Sequence, residues 1–222
     1  MVRRTKEDAL ATRHKLLDAA EHLFQEQGVS RTSLQDIARR ANATRGAIYW
    51  HFKDKADLFN AMMERVTLPM EACFQRNAPP AAAVDSGSCA LSSVWTATTD
   101  CLSQIVNNAQ TRRVMEVATQ KVEYVEELHA VRIRHISVRN AFLARFEQSI
   151  AAAAHQQKLQ LPISANQAAR GFHALIDGLM QNWLLDQSAF DLLATGKPVM
   201  AVYLNGLGFS EAATSQLMLK VS

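Results

Sequence analysis

The stretch TSLQDIARRANATRGAIYWHFKDKADLF, residues 32 to 59, constrains this chain more than any other. Thr32 followed three residues later by Gln35 has the form of a capping box, which predicts a helix from Ser33 with Leu34, Ile37, Ala38 and Ala41 on its buried side. Asn42 and Ala43 interrupt that pattern, and Thr44 then offers a cap to a second short helix through Tyr49 and Trp50. His51 and Phe52 follow, and Asp54 opens a third helix. Two short helices joined by a tight turn make a helix-turn-helix, the unit that places its second helix in a DNA major groove.

The second helix has the composition this reading requires. Arg45, Tyr49, His51, Lys53 and Lys55 supply hydrogen-bond donors, and Gly46 lets a phosphate or base approach the backbone, while only Ile48 and Phe52 are needed in a core. The competing reading is an αα-hairpin of a helical bundle that happens to be basic. The residues Thr32, Ile37, Ala38, Ala41, Thr44, Gly46, Ile48, Tyr49, Trp50, His51, Phe52, Lys55 and Leu58 resemble, in spacing and identity, the TetR family of bacterial repressors over the first third of the chain. The candidate DNA-binding set is therefore Thr32, Ser33, Thr44, Arg45, Gly46, Tyr49, Trp50, His51 and Lys55. Tyr49, His51 and Lys55 are expected on phosphates and Arg45 at a base edge.

Charge distribution agrees with that placement. Of the 222 residues, those from 1 to 66 hold 12 basic and nine acidic side chains and carry the whole formal net charge of +3; the rest of the chain is balanced. Cys73, Cys89 and Cys101 form no CxxC pair, and the seven His fall at no convincing ligand spacing, so neither metal nor cofactor is expected. There is no HExxH, no GxSxG and no phosphate loop, and an enzyme is not expected. No uncharged apolar run approaches about 18 residues, which predicts a cytoplasmic protein without membrane association.

Taken in order, the chain reads as helix throughout. Met1 to Lys6 is a basic arm, either a minor-groove contact or a terminus without a role. Leu16, Leu17, Ala20, Leu23 and Phe24 mark a helix from about Thr12 to Gln27, stopped by Gly28, that lids Ile37, Ile48 and Phe52. The helix after Asp54 carries Leu58, Phe59, Met62, Met63 and Val66 toward Pro69, and a Pro- and Ala-rich loop covers 77–88. Further helices are predicted over 91–107 with Trp95 inward, over 111–122, over 125–158, from a Ser164 cap to Asp186, and from Val199 to Leu207 after Gly196 and Pro198. The apolar face of 164–186 is wider than one buried side needs. Phe172, Leu175, Leu179, Trp183, Val202 and Tyr203 are accordingly candidate dimer-interface residues; the alternative is burial within the monomer.

The segments TRRVMEVATQKVEYVEELHAVR and IDGLMQNWLL, with the opening MVRRTKED, are similar to the AcrR/TtgR branch of that family, repressors of multidrug efflux pumps. Resemblance implies a hydrophobic small-molecule inducer held by Met115, Glu116, Thr119, Ile176, Asp177 and Gln181, and a homodimer formed through the last two long helices. The reading as a whole is an all-α chain: 1–66 a three-helix DNA-binding domain with its helix-turn-helix at about 33–52, and 67–222 a helical ligand-binding and dimerisation domain. Its expected function is repression at a palindromic double-stranded operator, with control of an efflux operon and release by hydrophobic compounds. The alternative within the class is a sensor of an endogenous metabolite that controls other genes.

Overall fold

The computed structural model describes residues 6–76, 87–210 and 214, with side chains for all of these except 68–76 and 87–90. The expectations for Arg3, Arg4 and the loop over 77–86 lie outside the described residues. Those described form nine α-helices and no strand: α1 Lys6–Gln27, α2 Leu34–Arg40, α3 Arg45–His51, α4 Lys55–Arg76, α5 Gly87–Asn107, α6 Ala109–Gln120, α7 His129–Gln156, α8 Ala165–Leu185 and α9 Leu192–Gly206. No helix among them is long and apolar enough to cross a membrane. They fall into two compact units, one from Met1–Thr67 with Ala109–Ile136 and the other from Leu68–Asn108 with Ser137–Ser222.

In the first unit, α1 supplies the lid that its periodicity predicts. Leu16, Leu17, Ala20 and Phe24 are fully buried in one cluster with Ile37, Ile48, Leu58 and Met62, and Phe52 and Phe59 are 1% exposed. Burying each of these larger side chains stabilises the unit by about 1.5–3 kcal/mol relative to exposure. The helix starts at Lys6 rather than Thr12 because Glu7 and Asp8 suit the positive end of a helix and the Thr12 hydroxyl donates to the Asp8 carbonyl at 2.8 Å.

Helix α6 also belongs to this unit. Val114 and Val117 enter the same cluster, and a polar joint forms above it around Glu21, which is 1% exposed. Its carboxylate accepts from Arg65 at 3.0 Å and from Gln110 at 3.0 and 3.2 Å, with Arg113 at 3.8 Å. Desolvation dominates there and raises the Glu21 pKa above the usual carboxylate value, against the lowering effect of Arg65 and Gln110. A backbone link completes the junction. Gly28, at φ +87°, turns the chain out of α1 so that the Val29 amide donates to the Lys121 carbonyl at 3.0 Å.

In the second unit, α5 is buried on nearly every side, through Leu91, Val94, Trp95, Ala97, Thr98, Thr99, Leu102 and Ile105. Phe146 of α7 stacks on Phe172 of α8 with centroids 4.1 Å apart. Tyr203 of α9 meets Phe172 edge-on and donates its hydroxyl to the Ala168 carbonyl at 2.9 Å. Gly171 is required beneath it, since a Cβ there would collide with the Tyr203 hydroxyl.

Other boundaries differ from expectation as well, among them the start of α5 at Gly87, inside the expected 77–88 loop. Residues Glu126–Leu128 form a short 3₁₀ turn, so α7 starts at His129 rather than at Val125. Helix α9 begins at Leu192, with Pro198 inside it, instead of following that proline. Asp191 is the reason: its Oδ1 accepts from the Leu193 and Ala194 amides at 2.9 and 2.8 Å, a strong N-cap seven residues ahead of the proline. Gly196 does not end a helix but admits α5, whose Leu102 would lie 3.1 Å from a Cβ at that position.

Candidate nucleic-acid interface

The helix-turn-helix is built from two local caps. Ser33, not Thr32, caps α2: its hydroxyl accepts from the Asp36 amide at 3.2 Å, and the Asp36 carboxylate accepts from the Ser33 amide at 3.2 Å. The Ser33 hydroxyl first and then the Ser33 amide, both donating to that carboxylate, hold the Asp36 pKa below its usual value. Thr44 caps α3 by accepting from the Ala47 amide at 3.1 Å, and Asp54 accepts from the Asp57 amide at 2.8 Å to open α4. Asn42, at φ +50°, makes the turn between α2 and α3.

Helix α3 sends Ile48 inward at 0% exposure and turns its other side outward. Arg45, Gly46, Tyr49 and Trp50 are exposed, Tyr49 at 48% and Trp50 at 73%. The Arg45 guanidinium lies 5.7 Å from the centroid of the Tyr49 ring, one turn along the same face. His51 is half-buried and packs edge-on to Trp50 at 4.6 Å. Thr44 and Ser33 are exposed, and the Thr44 cap leaves its hydroxyl hydrogen available to a phosphate. A Cβ at Gly46 would meet only the Thr44 hydroxyl oxygen, at 4.0 Å, which leaves the backbone there open to approach.

Two of the expected contacts are placed elsewhere. Thr32 is 1% exposed; its hydroxyl donates to the Gly28 carbonyl at 2.7 Å and accepts from Gln27 at 3.1 Å. Lys55 is 6% exposed, and its three ammonium donors have three partners: the carbonyls of Ser30 and Thr32, each at 3.3 Å, and the Glu127 carboxylate at 3.1 Å. A saturated, buried ammonium is a structural tie rather than a phosphate contact. Sequence reasoning also passed over Arg31 and Arg39. Both are exposed and line, with Leu23, Gln27, Asp36 and Arg40, a surface hollow of about 350 Å³ on this unit. Three arginines between 31 and 40 were the available signal. Arg40 itself is paired with Glu26 through two bonds of 2.9 and 3.0 Å.

The six candidate ligand residues divide between the units. On α6, Met115, Glu116 and Thr119 are half-buried; Glu116 accepts from Gln25 at 2.8 Å, and Thr119 donates to the Met115 carbonyl at 2.8 Å. On α8, Ile176 and Asp177 are half-buried, while exposed Gln181 donates to Asp177 at 2.5 Å. Among the candidate interface residues, Phe172 and Trp183 depart from expectation. They are 1% and 6% exposed, buried by their own chain, Phe172 in the apolar cluster of the second unit. Leu175, Leu179 and Tyr203 are half-buried, and Val202 is 70% exposed. The outward apolar positions are Ala194, Pro198 and Val202 on α9 with Ala174 and Leu185 on α8.

Comparison with known proteins agrees with this geometry. Residues 16–62 match the family described as bacterial regulatory proteins, tetR family, and residues 91–209 match the MAATS-type transcriptional repressor C-terminal region. The chain is 34% identical over 211 residues to the HTH-type transcriptional regulator AcrR of Shigella flexneri, covering 92% of this chain and 93% of that protein. It is similar to the crystal structure of NalD, the secondary repressor of the MexAB-OprM multidrug efflux pump in Pseudomonas aeruginosa, with 35% identity, a TM-score of 0.79, and 91% and 98% of the two chains covered. It also resembles SmeT, the repressor of the Stenotrophomonas maltophilia multidrug efflux pump SmeDEF, solved with triclosan, with 27% identity, a TM-score of 0.75, and 88% and 90% covered. An exposed, capped recognition helix on a buried Ile48 and Phe52 anchor, followed by a matching C-terminal region, shows that the chain belongs to the TetR family of bacterial transcriptional repressors.

Proposed function

We propose that this repressor binds a palindromic operator as a homodimer, controls a multidrug efflux operon, and leaves DNA when a hydrophobic compound binds it. The observation that carries this reading is likeness across about nine-tenths of the chain, C-terminal region included, to repressors of efflux pumps, one of them solved with triclosan. Arg45 reads a base edge, while Thr44, Tyr49 and His51 hold the backbone on either side. The exposed apolar stripe of Ala194, Pro198 and Val202 supports pairing of two copies, since an isologous contact buries the same patch from each.

Release needs little energy. A 100-fold loosening on DNA corresponds to a coupling of about 2.7 kcal/mol, which modest differential burial of an apolar ligand supplies. The test is fluorescence anisotropy of labelled DNA from upstream of the chain's own gene, with and without triclosan and a panel of apolar drugs. Saturable binding reversed by at least one compound is expected. Drugs that at their solubility limit never bind, or bind without loosening DNA, refute the efflux reading.

A further inference from the structure

Among the described residues, three buried polar side-chain atoms lack a hydrogen-bond partner, and two of them belong to one helix: Trp95 Nε1 and Thr98 Oγ1 of α5. The third, Asn60 Oδ1, lies in the first unit and stands by itself. Trp95 is 1% exposed and Thr98 2%, so water does not reach them from the surface. Positions three apart on a helix share a face, with Cβ atoms about 5–6 Å apart.

Thr98 leaves a bond unmade that its neighbour takes. A helical threonine can satisfy its hydroxyl on the carbonyl one turn back, and Thr99 does so, donating to the Trp95 carbonyl at 2.8 Å. Thr98 makes no such bond. The indole has no alternative of its own, because Nε1–H is a donor only. Trp95 sits in an apolar cluster with Leu91, Val94, Phe146, Ile150 and Phe172, whose hydrocarbon side chains offer no acceptor. Orphaned buried donors are rare in folded proteins, and two on one helical face form a matched pair.

We propose that Trp95 and Thr98 are a hydrogen-bonding subsite for the effector, which is an aromatic, largely apolar molecule carrying an accepting oxygen such as a ketone, ester or ether. This rests on the effector-responsive reading above. The indole N–H and the threonine O–H donate to the two lone pairs of one carbonyl oxygen, and the surrounding aromatic and aliphatic side chains cover the rest of the ligand. An ammonium group gains nothing from the indole N–H, which cannot accept from it.

Benzophenone and diphenylmethane test the subsite, because they share two phenyl rings and differ at one carbon, a carbonyl against a methylene. Binding of each is measured by calorimetry on wild type, Trp95→Phe and Thr98→Val, with operator release and the urea midpoint of the unliganded proteins alongside. Wild type should bind the ketone at least tenfold more tightly than the hydrocarbon. Both variants should lose most of that ratio by weakening ketone binding alone. The unliganded midpoint of Thr98→Val, which keeps the volume of the side chain, should equal or exceed that of wild type, since it removes a donor that makes no bond in the free protein. Variants that keep the tenfold ratio, or a Thr98→Val whose free form is destabilised as loss of a bonded donor requires, overturn the subsite. If both compounds bind and release operator equally, the subsite fails and the effector reading stands; if neither binds nor releases, and the drug panel also fails, both readings fall.

Discussion

Lys55→Met separates two roles that a basic residue beside a recognition helix can have. Methionine keeps the apolar stem and removes only the ammonium, so the packing of a side chain 6% exposed is nearly preserved. What is lost is the tie among the Ser30 carbonyl, the Thr32 carbonyl and Glu127. The ion pair contributes little, at most about 1 kcal/mol, because the Glu127 side chain is 57% exposed. The carbonyls weigh more. A buried acceptor left without its donor costs about 1–3 kcal/mol, and Thr32 is fully inside while Ser30 is half-buried, so the sum is about 2–4 kcal/mol. Urea denaturation at pH 7 should therefore show a clear loss of stability in the first unit. Operator binding, measured on folded protein at several salt concentrations, should keep the wild-type slope. A phosphate contact makes the opposite forecast: unchanged stability and a salt dependence flatter by about one unit. That second pattern would refute the structural tie.

Arg45→Ala should weaken operator binding by about 1–3 kcal/mol and relax sequence preference; equal losses on operator and scrambled DNA, titrated in parallel, remove Arg45 from base readout. Val202→Glu should yield folded monomers by sedimentation velocity, since Val202 is 70% exposed within its own chain and the charge is tolerated there but not between copies; an intact dimer rejects this face. Glu21→Gln should change the pH profile of stability. The folded-state pKa of Glu21 lies above its ordinary value of 4.5, so wild type is favoured while the group is protonated and loses that contribution as pH rises through the raised value. Urea midpoints from pH 3.5 to 7 should move in the variant's favour across that interval, and a constant difference contradicts the buried carboxylate's raised pKa.

What is legible in the sequence is what short-range chemistry decides. The Thr44 cap, the Ile48 and Phe52 anchors, the Ser164 cap with Gln167, and the lid formed by Leu16, Leu17 and Phe24 depend on neighbours three or four residues away. The capping box of α2 fails by one residue because Thr32-Gln35 and Ser33-Asp36 fit the same spacing. Only the Gly28 carbonyl, which takes the Thr32 hydroxyl, breaks that tie. Lys55 is illegible for a related reason: a lysine opening a helix reads as surface, and what buries it comes from Ser30, Thr32 and Glu127. Periodicity also reports that a helix face is apolar without saying what covers it. Phe172 and Trp183 face their own chain, and Val202, on the less regular α9, is the one left outside.

The hydrogen bond from Val29 to Lys121 has an evolutionary consequence. It fastens the turn ahead of the recognition motif to the end of α6 through backbone atoms on both sides, so no side-chain replacement in either element can sever it directly. The sole composition it demands is at Gly28, whose φ of +87° suits few other residues. A lineage can therefore exchange the outward residues of α6 while this tie between the end of that helix and the turn ahead of the motif passes unaltered from one variant to the next.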